Sequence, residues 1–183
     1  MNENPMTIVL ILICCIVSFV LGFLLRSWKK SQALTGPINY LTAIVFAVMI
    51  LVFVLRPVFV GDNFMAPTYT DQSFTFIFLP HFMFSDPTPG QIVAVKGSKK
   101  HPYLIKRIIA FPGDKVEFKN GVLYINGESR KELYVRNACT WNVPPITVPK
   151  GKLFVLGDNR FMPPQKHVGG IIDERNLAGI PIW

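Results

Sequence analysis

The chain has 183 residues, half of them hydrophobic and only 16% charged, where an ordinary soluble domain carries about a quarter. That shortage of charge excludes a uniformly soluble chain and requires the apolar residues to be concentrated locally. The formal charge is +8, and no stacked-aromatic RNA motif or basic helix accompanies it. The excess therefore fits a face beside an anionic lipid surface and not a nucleic-acid partner.

Two runs hold the apolar excess. Met6 to Leu25 has no charged residue, and neither does Ala33 to Leu55, whose tail AIVFAVMILVFVL is continuously apolar. A bilayer's hydrocarbon core takes about 20 apolar residues, so spans are expected at about 6–25 and 36–56. A cleaved signal peptide is the competing reading of the first run, which lacks a basic leading segment and a clean small-residue cleavage site. Arg26, Lys29 and Lys30 with Trp28 lie in the intervening segment 26–35, which makes it a cytoplasmic loop. Both termini then face out. Residues 1–60 are expected as a membrane anchor and 61–183 as an extracytoplasmic domain, on the outer or periplasmic side of a bacterial plasma (inner) membrane, with the lipid bilayer as a partner.

Beyond the second run the period changes to short strand-like stretches punctuated by Gly and Pro. Strands are predicted at Phe74 to Leu79, Gln91 to Val95, Tyr103 to Ile109, Lys115 to Lys119, Val122 to Ile125 and Lys152 to Leu156. Asn120-Gly121 supplies the positive φ angles of a two-residue hairpin turn, Asn126-Gly127 ends the next strand, and Pro112-Gly113-Asp114 makes the preceding turn. Glu128 to Thr147, with Pro144-Pro145, reads as a loop-rich connection, and His81 to Phe84 as an exposed aromatic hairpin tip that suits a membrane interface. The fold class expected is mostly β, anchored by two N-terminal helices.

From Asp62 onward there are 15 basic and 10 acidic residues, a balance of +5. Cys139 is alone in this part, since Cys14 and Cys15 lie in the first run. The domain therefore rests on packing without an internal disulfide, and Cys139 reads as a packed thiol, with an intermolecular bridge or a nucleophile as the lesser alternatives. His81, His101 and His167 have no zinc-type spacing, so neither a metal nor a cofactor is expected.

Three segments carry chemistry: Phe64-Met65-Ala66-Pro67-Thr68, Tyr103 to Asp114 (YLIKRIIAFPGD), and Gly157-Asp158-Asn159-Arg160. In this order behind an apolar anchor they resemble type I signal peptidases, membrane-bound serine proteases with a Ser-Lys dyad. The resemblance extends over the whole outer domain, including VEFKNGVLYING. It implies Lys106 as the general base, made neutral by burial among Leu104, Ile105 and Ile108, with Arg107 on the opposite strand face. It implies binding roles for Asp62, Asn63, Met65, Pro67, Asp158, Asn159 and Arg160.

The pattern breaks at the nucleophile. The family's Ser-Met-x-Pro-Thr begins here with Phe64, whose ring has no nucleophilic atom and no proton to give. Asp62 stands where the family holds a small or hydroxyl-bearing residue that helps bind the oxyanion, and a carboxylate there would repel it. The serine, aspartate and arginine that follow the last motif in the family correspond to Pro163, Gln165 and His167. Thr68 and Ser73 are the nearest hydroxyls, and Thr68 is four residues past the matched position. The expectation is a catalytically degenerate, signal-peptidase-like membrane protein. It binds signal peptides or preproteins, or partners an active paralogue or a membrane complex. The alternatives are an active signal peptidase with an unusual nucleophile and a structural subunit of a membrane complex.

Overall fold

A computed structural model of the chain describes residues 32–61, 63–99, 101–136, 139–163 and 170–182. The chain divides into two compact units, Met1–Arg56 and Pro57–Trp183. In the first, helix α1 runs from Gln32 to Phe53 through the second apolar run, and Tyr40, Leu41, Ile44, Val45, Val48, Leu51 and Val52 are exposed along it. Among the described residues no helix is long and apolar enough to cross a membrane. The run Met6 to Leu25 and the basic residues Arg26, Lys29 and Lys30 lie outside the described residues.

The remainder is built from strands, and the six predicted from the sequence are present to within a residue at each end. A seven-stranded sheet has the order β1-β2-β11-β3-β4-β9-β10, from β1 (Leu55–Phe59), β2 (Phe74–Phe78), β3 (Ile92–Lys96), β4 (Tyr103–Ala110), β9 (Lys152–Leu156), β10 (Ile171–Asp173) and β11 (Leu177–Ile182). A four-stranded sheet has the order β7-β6-β5-β8, from β5 (Lys115–Lys119), β6 (Val122–Ile125), β7 (Glu128–Arg130) and β8 (Val143–Thr147).

Alternation sorts the side chains. In β5, Val116 and Phe118 point inward while Lys115 and Lys119 are exposed. With Leu123 of β6 they pack against Ile109, Trp141, Phe154 and Leu156 in one core cluster. A second cluster gathers Met65, Tyr69, Ile77, Ala94 and Ile105, and a third Val93, Val95, Ile108, Leu153 and Val155. Strand β4 contributes to all three, so it is buried along most of its length.

Two expectations need correction. Glu128 to Thr147 is not merely connecting loop, because β7 and β8 lie within it. β8 is an edge strand, paired among the described residues only with β5, and its two prolines fall where the register shifts, an edge or bulge being where proline is tolerated. The segment after β2 is not a hairpin tip but a short 3-10 helix, Leu79–Met83, started by Pro80. Met83 and Phe84 are nevertheless exposed.

The Asn-Gly turns form as expected. Lys119 pairs with Val122 across Asn120-Gly121, whose φ angles are 50° and 81°, and Ile125 pairs with Glu128 across Asn126-Gly127, at 55° and 86°. The two glycines differ in surroundings. A Cβ at Gly121 would lie 1.8 Å from the Cys139 carbonyl oxygen, whereas one at Gly127 meets nothing within 4 Å. Gly127→Ala should therefore cost about 1–2 kcal/mol for its left-handed backbone alone. Gly121→Ala should add about 1–3 kcal/mol for the forced backbone shift. Thermal midpoints of the two variants in detergent should fall in that order, and equal shifts would contradict the close approach.

Candidate functional site

The site begins on β4, where consecutive side chains alternate and send Lys106 and Arg107 to different partners. Lys106 is 3% exposed and pairs across the ladder with Val93. Its ammonium nitrogen lies 4.0 Å from the centroid of the Phe64 ring, a distance at which the ring's quadrupole attracts a cation.

Phe64 is held there by its neighbours. Met65 is fully buried in the cluster with Tyr69, Ile77 and Ala94, which anchors the loop from below. Ala66 N–H donates to the Asn63 carbonyl at 3.2 Å and Tyr69 N–H to the Met65 carbonyl at 3.0 Å, so the segment is wound into tight turns. Those bonds leave the Phe64 carbonyl for the turn after β9. Asn159 N–H donates to it at 2.9 Å, and the Asn159 side-chain amide donates to the Asn63 carbonyl at 3.0 Å. Gly157 allows the approach, since a Cβ there would lie 2.2 Å from the Phe64 carbonyl oxygen. Segments almost a hundred residues apart are thus joined main chain to main chain.

Charge locks the same turn. The buried Asp158 carboxylate accepts two bonds from Arg107, from Nε at 2.8 Å and Nη2 at 2.6 Å, and a third from the Thr68 hydroxyl at 2.5 Å. Arg107 also donates to the Gly90 carbonyl at 2.7 Å, and its guanidinium lies over the Tyr134 ring at 3.9 Å. Two residues on, the buried Arg160 donates to Glu132 through both Nη atoms, at 2.7 and 2.5 Å, and to the Gly157 carbonyl through Nε at 2.9 Å. Its guanidinium sits 5.6 and 5.8 Å from the Phe118 and Trp141 rings. Tyr134 donates to Glu132 at 2.6 Å. Burial, and then the Glu132 carboxylate, push its phenol well above the ordinary range, which keeps it a donor. Two arginines and two carboxylates balance in charge, and both pairs are bidentate, the geometry that best offsets desolvation.

Of the residues expected from the sequence, Asn63, Phe64, Lys106, Asp158 and Asn159 come together. Met65, Asp158 and Arg160 are buried and support the site from within, whereas Pro67 and Pro163 are exposed. Asp62, Gln165 and His167 lie outside the described residues. Thr68, the nearest candidate to replace a serine, spends its hydroxyl on Asp158. Glu132 and Tyr134 did not emerge from the sequence. They fall in the irregular segment after β7, and their only sequence signal is an acidic and an aromatic residue two apart. Among the described residues no group of three His, Cys, Asp or Glu side chains is gathered as a metal site would need. As it stands, the arrangement holds a buried lysine against a hydrocarbon ring with the surrounding scaffold intact.

Known proteins share this chain's sequence over most of its length. The family model described as signal peptidase, peptidase S26, matches residues 35–180. Signal peptidase I of Bacillus licheniformis is 33% identical over 162 residues, 82% of this chain and 87% of that protein. Signal peptidase I P of Bacillus subtilis subsp. natto is 36% identical over 142 residues, 72% of this chain and 76% of that one. A crystal structure of a signal peptidase I from Enterococcus faecalis V583 aligns with 52% of this chain and 97% of its own, at 28% identity and a TM-score of 0.45. With β4 carrying the lysine, the Met-Ala-Pro-Thr loop stitched to the Gly-Asp-Asn-Arg turn, and a match that runs through all of them, the chain belongs to the signal peptidase family, peptidase S26.

Proposed function

We propose that this protein is a catalytically degenerate member of its family, one that binds signal peptides or preproteins without cleaving them. The observation that carries this reading is the Phe64 ring placed 4.0 Å from Lys106 Nζ. Acyl transfer in this family's manner needs a hydroxyl at that point and a lysine to take its proton. A phenyl group supplies neither an attacking atom nor a hydrogen-bond partner, and the Thr68 hydroxyl is committed to Asp158. Asn63, Asn159 and the exposed Pro67 remain to shape a groove in which an extended chain pairs with backbone, a binding mode that requires no chemistry.

The membrane assignment belongs to the same reading. The run Ala33 to Leu55 has no charged residue and exceeds the about 20 apolar residues that a hydrocarbon core takes, and the described apolar side chains of α1 within it are exposed. With the uncharged run Met6 to Leu25 and the basic segment between, the arrangement is two spans in a bacterial plasma membrane. The β unit, 57–183, then lies on the outer face. The lipid bilayer is one partner, and an active paralogue or a membrane complex is the further one proposed.

Full-length protein in detergent should leave a signal-peptide-bearing preprotein intact and take no label from a serine-reactive acylating inhibitor. A photo-crosslinking signal peptide should nevertheless label the β unit. Cleavage that disappears in Lys106→Ala would overturn the reading.

Phe64→Ser should not restore cleavage to a relative's level, because the departures at Asp62, Pro163 and Gln165 remain. It should also lower the thermal midpoint, through loss of a cation–π contact of about 0.5–2 kcal/mol and of the ring's packing. Full activity from this one substitution, in a preprotein assay, would show that the rest of the site is competent.

A further inference from the structure

A second concave surface lies apart from the Lys106 site, where the two sheets meet. A pocket of about 360 Å3 opens between the end of β4, strand β6 and the segment that follows β7, and neither Lys106 nor Phe64 lines it. Its floor is hydrocarbon: Ile108, Ile109 and Leu123, all buried, with the half-buried Phe111 and Ile125 beside them. An apolar floor with a few placed polar groups is the usual form of a small-ligand site, and this volume falls at the lower end of the range. The polar groups decide what fits.

Those groups are sorted by charge along β6. Residues directly opposite in an antiparallel pair share a face, and Arg130 stands opposite Leu123 while Glu128 stands opposite Ile125. The Arg130 end is therefore basic, and the exposed Lys131 follows it in the wall. Among the described residues Lys131 is in no ion pair, and Arg130 meets only Glu128, at 3.2 Å. Both side chains of that pair are mostly exposed, so it is weak and readily exchanged. The other end is acidic. Asn126, three residues beyond Leu123 and thus about 10 Å along the strand, donates to the Asp114 carboxylate at 2.8 Å. That carboxylate also accepts from the Phe111 N–H at 2.8 Å, which leaves open about two of its roughly four acceptor positions. The remaining acid in the wall, Glu132, is held by Arg160 and Tyr134.

We infer that this pocket binds a short free peptide of apolar residues, with its carboxylate at Arg130 and Lys131, its side chains on the floor and its ammonium group at Asp114. Three residues fully extended span about 10 Å, which matches the separation of the two ends. A fatty acid would satisfy the basic end and leave Asp114 facing hydrocarbon. An acidic polypeptide would set carboxylates against Asp114 and Glu128. The zwitterion meets both ends at once. The inference is independent of whether the Phe64 loop binds signal peptides.

The test is isothermal titration calorimetry of full-length protein in detergent with the tripeptide leucyl-alanyl-leucine. Saturable binding is expected, and affinity should fall about ten-fold for the C-terminal amide and about ten-fold for the N-acetyl form. Lys131→Glu and Arg130→Glu should each weaken the free peptide about ten-fold while changing binding of its amide by less than about two-fold. Their thermal midpoints should not move, because both side chains are exposed. No saturable binding, equal affinity for the free peptide and its amide, or binding that neither variant weakens would overturn the inference. Octanoate binding more tightly than the tripeptide would overturn it in favour of a lipid-derived anion. Displacement of a crosslinking signal peptide by the tripeptide, with both variants without effect, would place the tripeptide in the Phe64 groove and sink the inference as well.

Discussion

Two largely buried bidentate ion pairs, Arg107 with Asp158 and Arg160 with Glu132, are the constraint on which the site depends. Neither arginine can lose its carboxylate cheaply. Breaking a buried pair leaves an uncompensated charge at a cost of about 3–5 kcal/mol, a large share of the roughly 5–15 kcal/mol that keeps a domain folded. Since Asp158 and Arg160 flank Asn159, the two pairs fix the turn that hydrogen-bonds to Asn63 and Phe64. The turn joins β4, the segment after β7 and the Phe64 loop in one connected structure.

That dependence explains how the loop can keep its shape whatever side chain stands at position 64. The bonds that hold residues 63–69 come from main-chain atoms, from the Asn159 side-chain amide, from the buried Met65 side chain and from the Thr68 hydroxyl, none of which involves the side chain at position 64. A substitution there changes what faces Lys106 and leaves these loop bonds in place. The ring also answers a physical need of its neighbour. A lysine 3% exposed has little water around its amine nitrogen, and an aromatic face is one of the few uncharged surfaces that attracts that group when it is protonated.

Sequence reasoning reached the strands whose side chains alternate and whose ends carry Asn-Gly or Pro-Gly turns, because those signals are local. It missed strands whose identity is decided elsewhere in the fold. β8 contains two prolines and becomes a strand only because it lies at an edge. β11, LAGIPI, looks like a loop, yet its glycine is required where the strand meets β2: a Cβ at Gly179 would lie 2.2 Å from the Phe78 carbonyl oxygen. At the site, Lys106, Phe64 and the Gly157–Arg160 turn were legible because motif order survives in the chain. The pairing of Arg160 with Glu132, of Arg107 with Tyr134 and of Thr68 with Asp158 was not, because partners 27 to 90 residues apart are selected by the tertiary fold and leave no spacing rule.

The place of β11 has a temporal meaning. It comes after every other described strand in the chain, yet it lies between β2 and β3, and the Thr75 hydroxyl at the heart of β2 donates a hydrogen bond to the Ile182 carbonyl at 2.7 Å. Until residues 177–182 are present, β2 and β3 have no shared neighbour and the larger sheet is split in two. A chain threaded vectorially, from a ribosome or through a translocation channel, must therefore keep this sheet open until its last described strand has emerged. Closure then comes as a single late event, which also brings the β2 and β3 faces of the core together.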